Sequence, residues 1–231
     1  MTNIYTIYGS GGHGREVMSI LLRDINKISQ HNNNEFIFID DFMSEKGMVN
    51  GNFVISFKKL IEKYSGSNIN CCIAIADKKV RKKLTQKCID SGFTMMSVHS
   101  FNSVVSDNVT IGEGSILSSF VTVSPNVSIG KSFQANMYSY VAHDCVIGDF
   151  VTFAPAVKCN GNVHVQDGVY VGTGAIIYPG TKDNPIVIGK NSTVGAGAVV
   201  TKSVADNVTV IGNPAQVLTL KLWKKMRAND Y

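Results

Sequence analysis

Proline and tryptophan are scarce in this chain, at five and one in 231 residues, and its five cysteines follow no pairing pattern. Cys71, Cys72, Cys88, Cys145 and Cys159 form no CxxC pair and no even framework. That excludes a disulfide-stapled scaffold and leaves the reduced, packing thiols expected of a cytoplasmic protein. Charged residues are also few, 17% against 44% apolar, which excludes a disordered chain. No apolar run approaches the length of a transmembrane helix, so membrane insertion is not expected. Met1–Tyr8 lacks the basic-then-apolar order of a signal peptide. The formal charge of +5 suits phosphorylated ligands and suits their absence equally, and no nucleic-acid partner is expected. Glycine, by contrast, is abundant at 21 residues. It points to many tight turns, and so to a β-rich or repeat architecture.

The part before residue 100 alternates strand and helix. Ile4–Tyr8 is a β-branched and aromatic run, followed by a glycine-rich turn at Gly9–Gly14. Val17, Ile20, Leu21 and Leu22 then keep helical spacing from Arg15 to about Asp24. Phe36–Ile39 reads as the next strand and ends on Asp40–Asp41; Cys71–Ala76 reads as a further one. A basic helix runs from Lys78 to about Asp90, and Gly92 stops it. Strand, glycine turn, helix and strand make a βαβ, Rossmann-like domain with a parallel sheet, assigned to residues 1–99.

Gly9-Ser-Gly-Gly-His-Gly14 fits GxGxxG between a strand and a helix, presenting N–H groups and a helix N-terminus to phosphate. NAD is the rival ligand. A dinucleotide domain needs more strands than about 98 residues supply, so a sugar-nucleotide diphosphate is the favoured reading. Gly11, Gly12 and His13 would meet it, with Asp40 and Asp41 at the ligand-binding strand ends and Arg81 on the basic helix.

The remainder is a repeat. Stepping six residues from Ile111 reaches Leu117, Val123, Ile129, Ala135, Val141, Ile147, Phe153, Cys159, Val165, Val171 and Ile177. Every position reached is apolar or small. A five-residue insertion around Lys182–Pro185 interrupts the count, which resumes at Ile188, Val194 and Val200. A period of six fits neither an α-helix nor a hairpin array. It fits a triangular solenoid with one hexapeptide per side: a left-handed parallel β-helix. The helix is expected from about Val104 to Asn207, within a domain at residues 100–215. A short amphipathic C-terminal helix is assigned to 216–231, burying Leu218, Leu222 and Trp223 against the solenoid end.

This order resembles the bacterial sugar acetyltransferases of the bacillosamine N-acetyltransferase and sialic acid O-acetyltransferase-like family. The resemblance is carried by Tyr8–Gly14, Phe36–Phe42, Ile75–Lys83, the string His143-Asp-Cys-Val-Ile-Gly-Asp149, Gly161-Asn162 and Gly212-Asn-Pro-Ala215. It implies acetyl-CoA as donor and a nucleotide-linked amino sugar as acceptor, and no metal is expected. It also implies a homotrimer with active sites between subunits.

His143 falls two positions after the inward Val141, so it is not a core residue. A neutral imidazole there suits a general base, and Asp144 resembles the family's acidic partner. By the same resemblance, Gly161 supplies a backbone N–H to the thioester oxyanion. Thr173 and Ala196 match positions along the pantetheine arm, and Asn136 matches one near the sugar. Related enzymes carry a second histidine nine residues after the first. Thr152 stands there in this chain, with a hydroxyl expected near the acetyl group. The expected reaction is N-acetylation of a nucleotide-linked 4-amino-4,6-dideoxyhexose for surface glycan, O-antigen-type synthesis. O-acetylation of a sialic acid is the alternative. A metal-dependent hexapeptide enzyme would need histidines about 18 residues apart, and His143 and His164 are 21 apart.

Overall fold

The computed structural model describes residues 3–28, 34–43, 47–221 and 224. Strand β1 (Asn3–Tyr8) leads through the glycine turn into helix α1 (Gly12–Ile28) and on to β2 (Asn34–Ile39). β1 and β2 pair in parallel from Asn3 opposite Asn34 to Tyr8 opposite Ile39, which is the predicted βαβ unit. A side chain at Gly14 would put its Cβ 1.9 Å from the Gly9 carbonyl oxygen, so only glycine lets α1 close onto β1.

Next come β3 (Met48–Val49), β4 (Asn52–Ile55), α2 (Phe57–Lys63), β5 (Ile69–Ile73), α3 (Lys78–Asp90) and β6 (Thr94–Met95). They complete a six-stranded sheet of order β3-β4-β2-β1-β5-β6. Three of those strands, β3, β4 and β6, go beyond the sequence reading. Asn50 and Gly51 both hold positive φ and join β3 to β4 as a tight hairpin.

From Val98 the chain winds through three parallel sheets that form the faces of a prism. The first face runs from Val98–His99 to Thr209–Ile211, the second from Val104–Val105 to Val199–Val200, and the third from Thr110–Ile111 to Ile186–Ile188. Ile116 pairs with Gln134 and Gln134 with Thr152, so eighteen residues make one coil. The insertion lengthens one coil, opposing Val163 to Ile186, as the interrupted count requires. The ladder begins six residues before the expected Val104, and its last turn ends on an antiparallel pair, Val210 with Val217.

The hexad aliphatics fill the prism. Leu117, Val123, Val141, Cys159 and Val171 are wholly buried there, and Phe133 meets Phe153 edge-on at 5.3 Å. Each such side chain contributes about 1.5–3 kcal/mol. Single residues in the left-handed backbone region turn the corners. The first edge, between the first and second faces, carries Phe120, Tyr138 and Ala156. The second edge carries Asn108, Asn126, Asp144 and Asn162, and the third carries Ser132 and Phe150.

The α/β unit is seated on the first face. Val17, Leu21 and Cys72 share one buried cluster with Val98 and Ile116. Arg81, on α3, is wholly buried in this seam. It donates to the carbonyls of Ile75 and Ala76 at 2.7 and 2.9 Å on its own side. Across the seam it donates to Gln134 Oε1, the Phe150 carbonyl and Thr152 Oγ1 at 3.1, 2.8 and 2.9 Å. Two sequence expectations therefore need correction. Arg81 joins the two units and presents nothing to a diphosphate. Thr152 lies beneath it on the first face, 3% exposed, with its hydroxyl taken up by Arg81 and closed off from solvent. Lys78 likewise reaches across, to the carbonyls of Gly168 and Asn191.

No helix among the described residues is long and apolar enough to cross a membrane. Leu222, Trp223 and most of the expected C-terminal helix lie outside the described residues; Leu220 beside them is exposed.

Candidate active site

His143 lies in the turn two residues after the second-face strand Tyr140–Val141, in which Val141 points inward and is wholly buried. Asp144 follows with φ at 59°, in the left-handed region, and so makes the corner itself. On a straight strand the two side chains would face opposite ways. The corner turns both outward, and His143 Nδ1 lies 2.7 Å from Asp144 Oδ2. A carboxylate only accepts, so Nδ1 is the donor, and in the neutral ring this leaves the lone pair on Nε2. The hydrogen bond from His143, with a second from Asn126, holds the Asp144 carboxyl below its usual range. The pair is open to solvent, with His143 60% and Asp144 46% exposed.

One coil on, Gly161 is buried beneath the imidazole. A Cβ there would sit 2.5 Å from His143 Cε1 and 2.7 Å from Nε2. Glycine at 161 is thus the reason the ring can lie flat against the edge. Gly161→Ala is expected to leave the melting temperature nearly unchanged, because the exposed ring can swing outward. Acetyl transfer should fall about 10²-fold from the misplaced base. A steady-state rate equal to wild type would contradict this steric role.

The residues singled out from sequence gather in three places. His143, Asp144 and Gly161 share the second edge. Asn136 flanks the first edge, its amide donating to the Phe153 carbonyl, and Thr173 and Ala196 lie exposed along that edge one coil apart. Gly11, Gly12, His13, Asp40 and Asp41 sit at the C-terminal ends of β1 and β2. Space beyond Gly11 and Gly12 is open.

Asp40 accepts from Ser10 N and Oγ, Phe42 N and Met43 N. Burial works against its ionisation, but these bonds hold its carboxyl below the usual range. All four of its acceptor sites are filled, so it holds the turn and has none to spare for a ribose. Asp41 accepts from Tyr8 OH and Phe57 N, and lies 3.6 Å from Lys87 Nζ. Burial lowers the His13 pKa; its Nδ1 lies 3.6 Å from Glu16.

A cleft of about 450 Å³, not foreseen from the sequence, opens where α1 passes the first edge. Glu16, Ser19 and Arg23 line one side, with Phe120, Met137 and Tyr138 on the other. The two rings are stacked at 5.2 Å and half exposed. Among the described residues, no group of three or more His, Cys, Asp or Glu side chains could hold a metal.

Residues 5–88 match the PglD N-terminal domain family. The chain is 44% identical over 188 residues to GDP-perosamine N-acetyltransferase of Escherichia coli O157:H7, covering 81% of this chain and 83% of that protein. Its fold superposes on WeeI from Acinetobacter baumannii AYE at a TM-score of 0.88. The identity is 49%, covering 94% of this chain and all of that one. It superposes on PerB from Caulobacter crescentus, solved with CoA and GDP-perosamine, at 0.79. There the identity is 28%, over 93% and 96% of the two chains. The Caulobacter enzyme has also been solved with one histidine changed to alanine or to asparagine. The chain belongs to the hexapeptide-repeat family of acetyl-CoA-dependent sugar acetyltransferases that includes GDP-perosamine N-acetyltransferase.

Proposed function

We propose that the chain acetylates the amine of a nucleotide-linked 4-amino-4,6-dideoxyhexose, GDP-perosamine or a close analogue, with His143 as general base. The observation that carries this reading is the His143–Asp144 pair laid over Gly161. The amine attacks the thioester carbonyl of acetyl-CoA as His143 Nε2 takes its proton. Asp144 steadies the resulting imidazolium. The Gly161 N–H, which meets no acceptor among the described residues, faces the developing oxyanion. Collapse then breaks the carbon–sulfur bond and releases CoA thiol, with the proton returned from His143.

One chain supplies only parts of this site. The α/β unit covers the first face, and the second edge is the one opposite that face. His143 therefore points away from the glycine turn and the α1 cleft of its own chain. We infer a homotrimer in which the second edge of one subunit meets the first edge of the next. His143, Asp144 and Gly161 would then face Asn136, Thr173, Ala196 and the α1 cleft across the seam. The nucleotide would lie on Gly11, Gly12 and His13 beside Asp41, with the diphosphate on the α1 N-terminus. All five cysteines are free thiols buried in the cores, which supports a cytoplasmic setting for surface glycan synthesis.

The test is a thiol-release assay with acetyl-CoA and a panel of acceptors. Release is expected with GDP-linked 4-amino sugars, and little with the matching 4-hydroxy sugars or free sialic acid. Turnover only on a sugar hydroxyl would overturn the proposal in favour of O-acetylation.

A further inference from the structure

Asp144 is held from below as well as from the side. Asn126 occupies the same corner one coil earlier, and its Nδ2 lies 3.2 Å from Asp144 Oδ1, while Oδ2 faces His143. Because the carboxylate only accepts, the Asn126 amide must turn its NH₂ group toward Asp144. Its own Oδ1 then faces Asn108 Nδ2, at a long 3.4 Å. One carboxylate oxygen is thus committed to the asparagine and the other to the imidazole, which fixes the plane of an otherwise exposed carboxyl group.

The backbone alone does not demand asparagine at this place. Asn126 has φ of 59°, and glycines turn equivalent corners at Gly114, Gly168 and Gly174 with φ of 65–70°. What asparagine adds is the amide. Other groups near Asp144 are His143 itself, Lys182 of the inserted loop, and Asn162, His164 and the buried Cys145 around a cleft of about 420 Å³. Of these, His143 alone hydrogen-bonds its carboxylate, and the second bond comes from Asn126.

We propose that Asn126 is a positioning residue for the transfer reaction, acting through Asp144 to hold the His143 ring in the tautomer and orientation that leave Nε2 free. This rests on the reading of His143 as the base.

The test is a double-mutant cycle in the full-length protein. Asn126→Gly keeps the left-handed corner and should lower kcat about 10-fold, with the KM for acetyl-CoA and the melting temperature nearly unchanged. On an Asp144→Ala background the same change should cost less than about 2-fold. Asn108→Gly, the same alteration one coil further off, should leave kcat within about 2-fold, which separates a catalytic effect from a structural one. An Asn126→Gly enzyme with wild-type kcat, or a loss that persists in full without Asp144, would overturn the proposal. If His143→Ala retains activity, the underlying reading fails instead, whatever Asn126 does.

Discussion

Replacing His143 by alanine is expected to lower acetyl transfer by about 10²–10⁴-fold, the span usual for a positioned general base. The melting temperature should hardly move, because the side chain is 60% exposed and contributes no core packing. Beyond Asp144, the described side chains nearest to His143 are poorly placed to substitute for it. Cys145 is buried, with its thiol donated to the Asn160 carbonyl at 3.1 Å. His164 sits on the third face, around the corner. The residual rate would come from holding the two substrates together. Rates measured against acetyl-CoA at saturating acceptor check this directly. A loss smaller than about 10-fold would mean that proton removal is not what His143 supplies.

Arg81→Ala is expected to have the largest effect on stability, about 3–5 kcal/mol. Five hydrogen bonds tie this wholly buried guanidinium to both units, and its removal strands their acceptors in a dry seam. Burial lowers its pKa to about 10, so it remains charged at neutral pH, its charge met by carbonyl dipoles. For a chain of this size the loss corresponds to a fall in Tm of about 10 °C or more. Arg81→Lys should recover little, because one ammonium cannot match a planar fork with five partners. Calorimetry of the two variants decides it. A shift below about 2 °C would show that the seam does not depend on this residue.

Arg81 also shows where sequence legibility stopped. Residues 81, 84, 85 and 88 recur at helical spacing, and Arg81, Thr85 and Cys88 form the buried stripe of α3. The stripe was present in the pattern, but arginine at its head, among so many lysines, reads as a phosphate contact rather than a buried residue. Burial became possible only because the Phe150 carbonyl and the Gln134 and Thr152 side chains converge on it across the seam. Thr152 failed for the same reason: its depth depends on the α/β unit that covers the first face. The prism itself was legible, because one inward aliphatic in six is a direct imprint of its three sides. Its beginning was hidden, since His99 occupies the hexad position of the first coil. The β3–β4 hairpin carried a visible signal at Asn50-Gly51. The pairing of His143 with Asp144 was legible as far as it needed a corner between them, and the corner is there. The supporting Asn126 was not, because its role depends on stacking eighteen residues away.

The most direct test of the central claim, a site shared between two subunits, is complementation. His143→Ala removes the base from the second edge. Gly12→Glu puts a carboxylate where the diphosphate would lie, at a position whose Cβ meets nothing within 4 Å. Each variant alone should be nearly inactive. Trimers assembled from the two in equal amounts should recover about one quarter of the wild-type rate, the fraction of seams that pair an intact His143 edge with an intact nucleotide site. Verified mixed trimers with no activity above the two parents would contradict the shared site, and with it the assembly on which the proposed reaction rests.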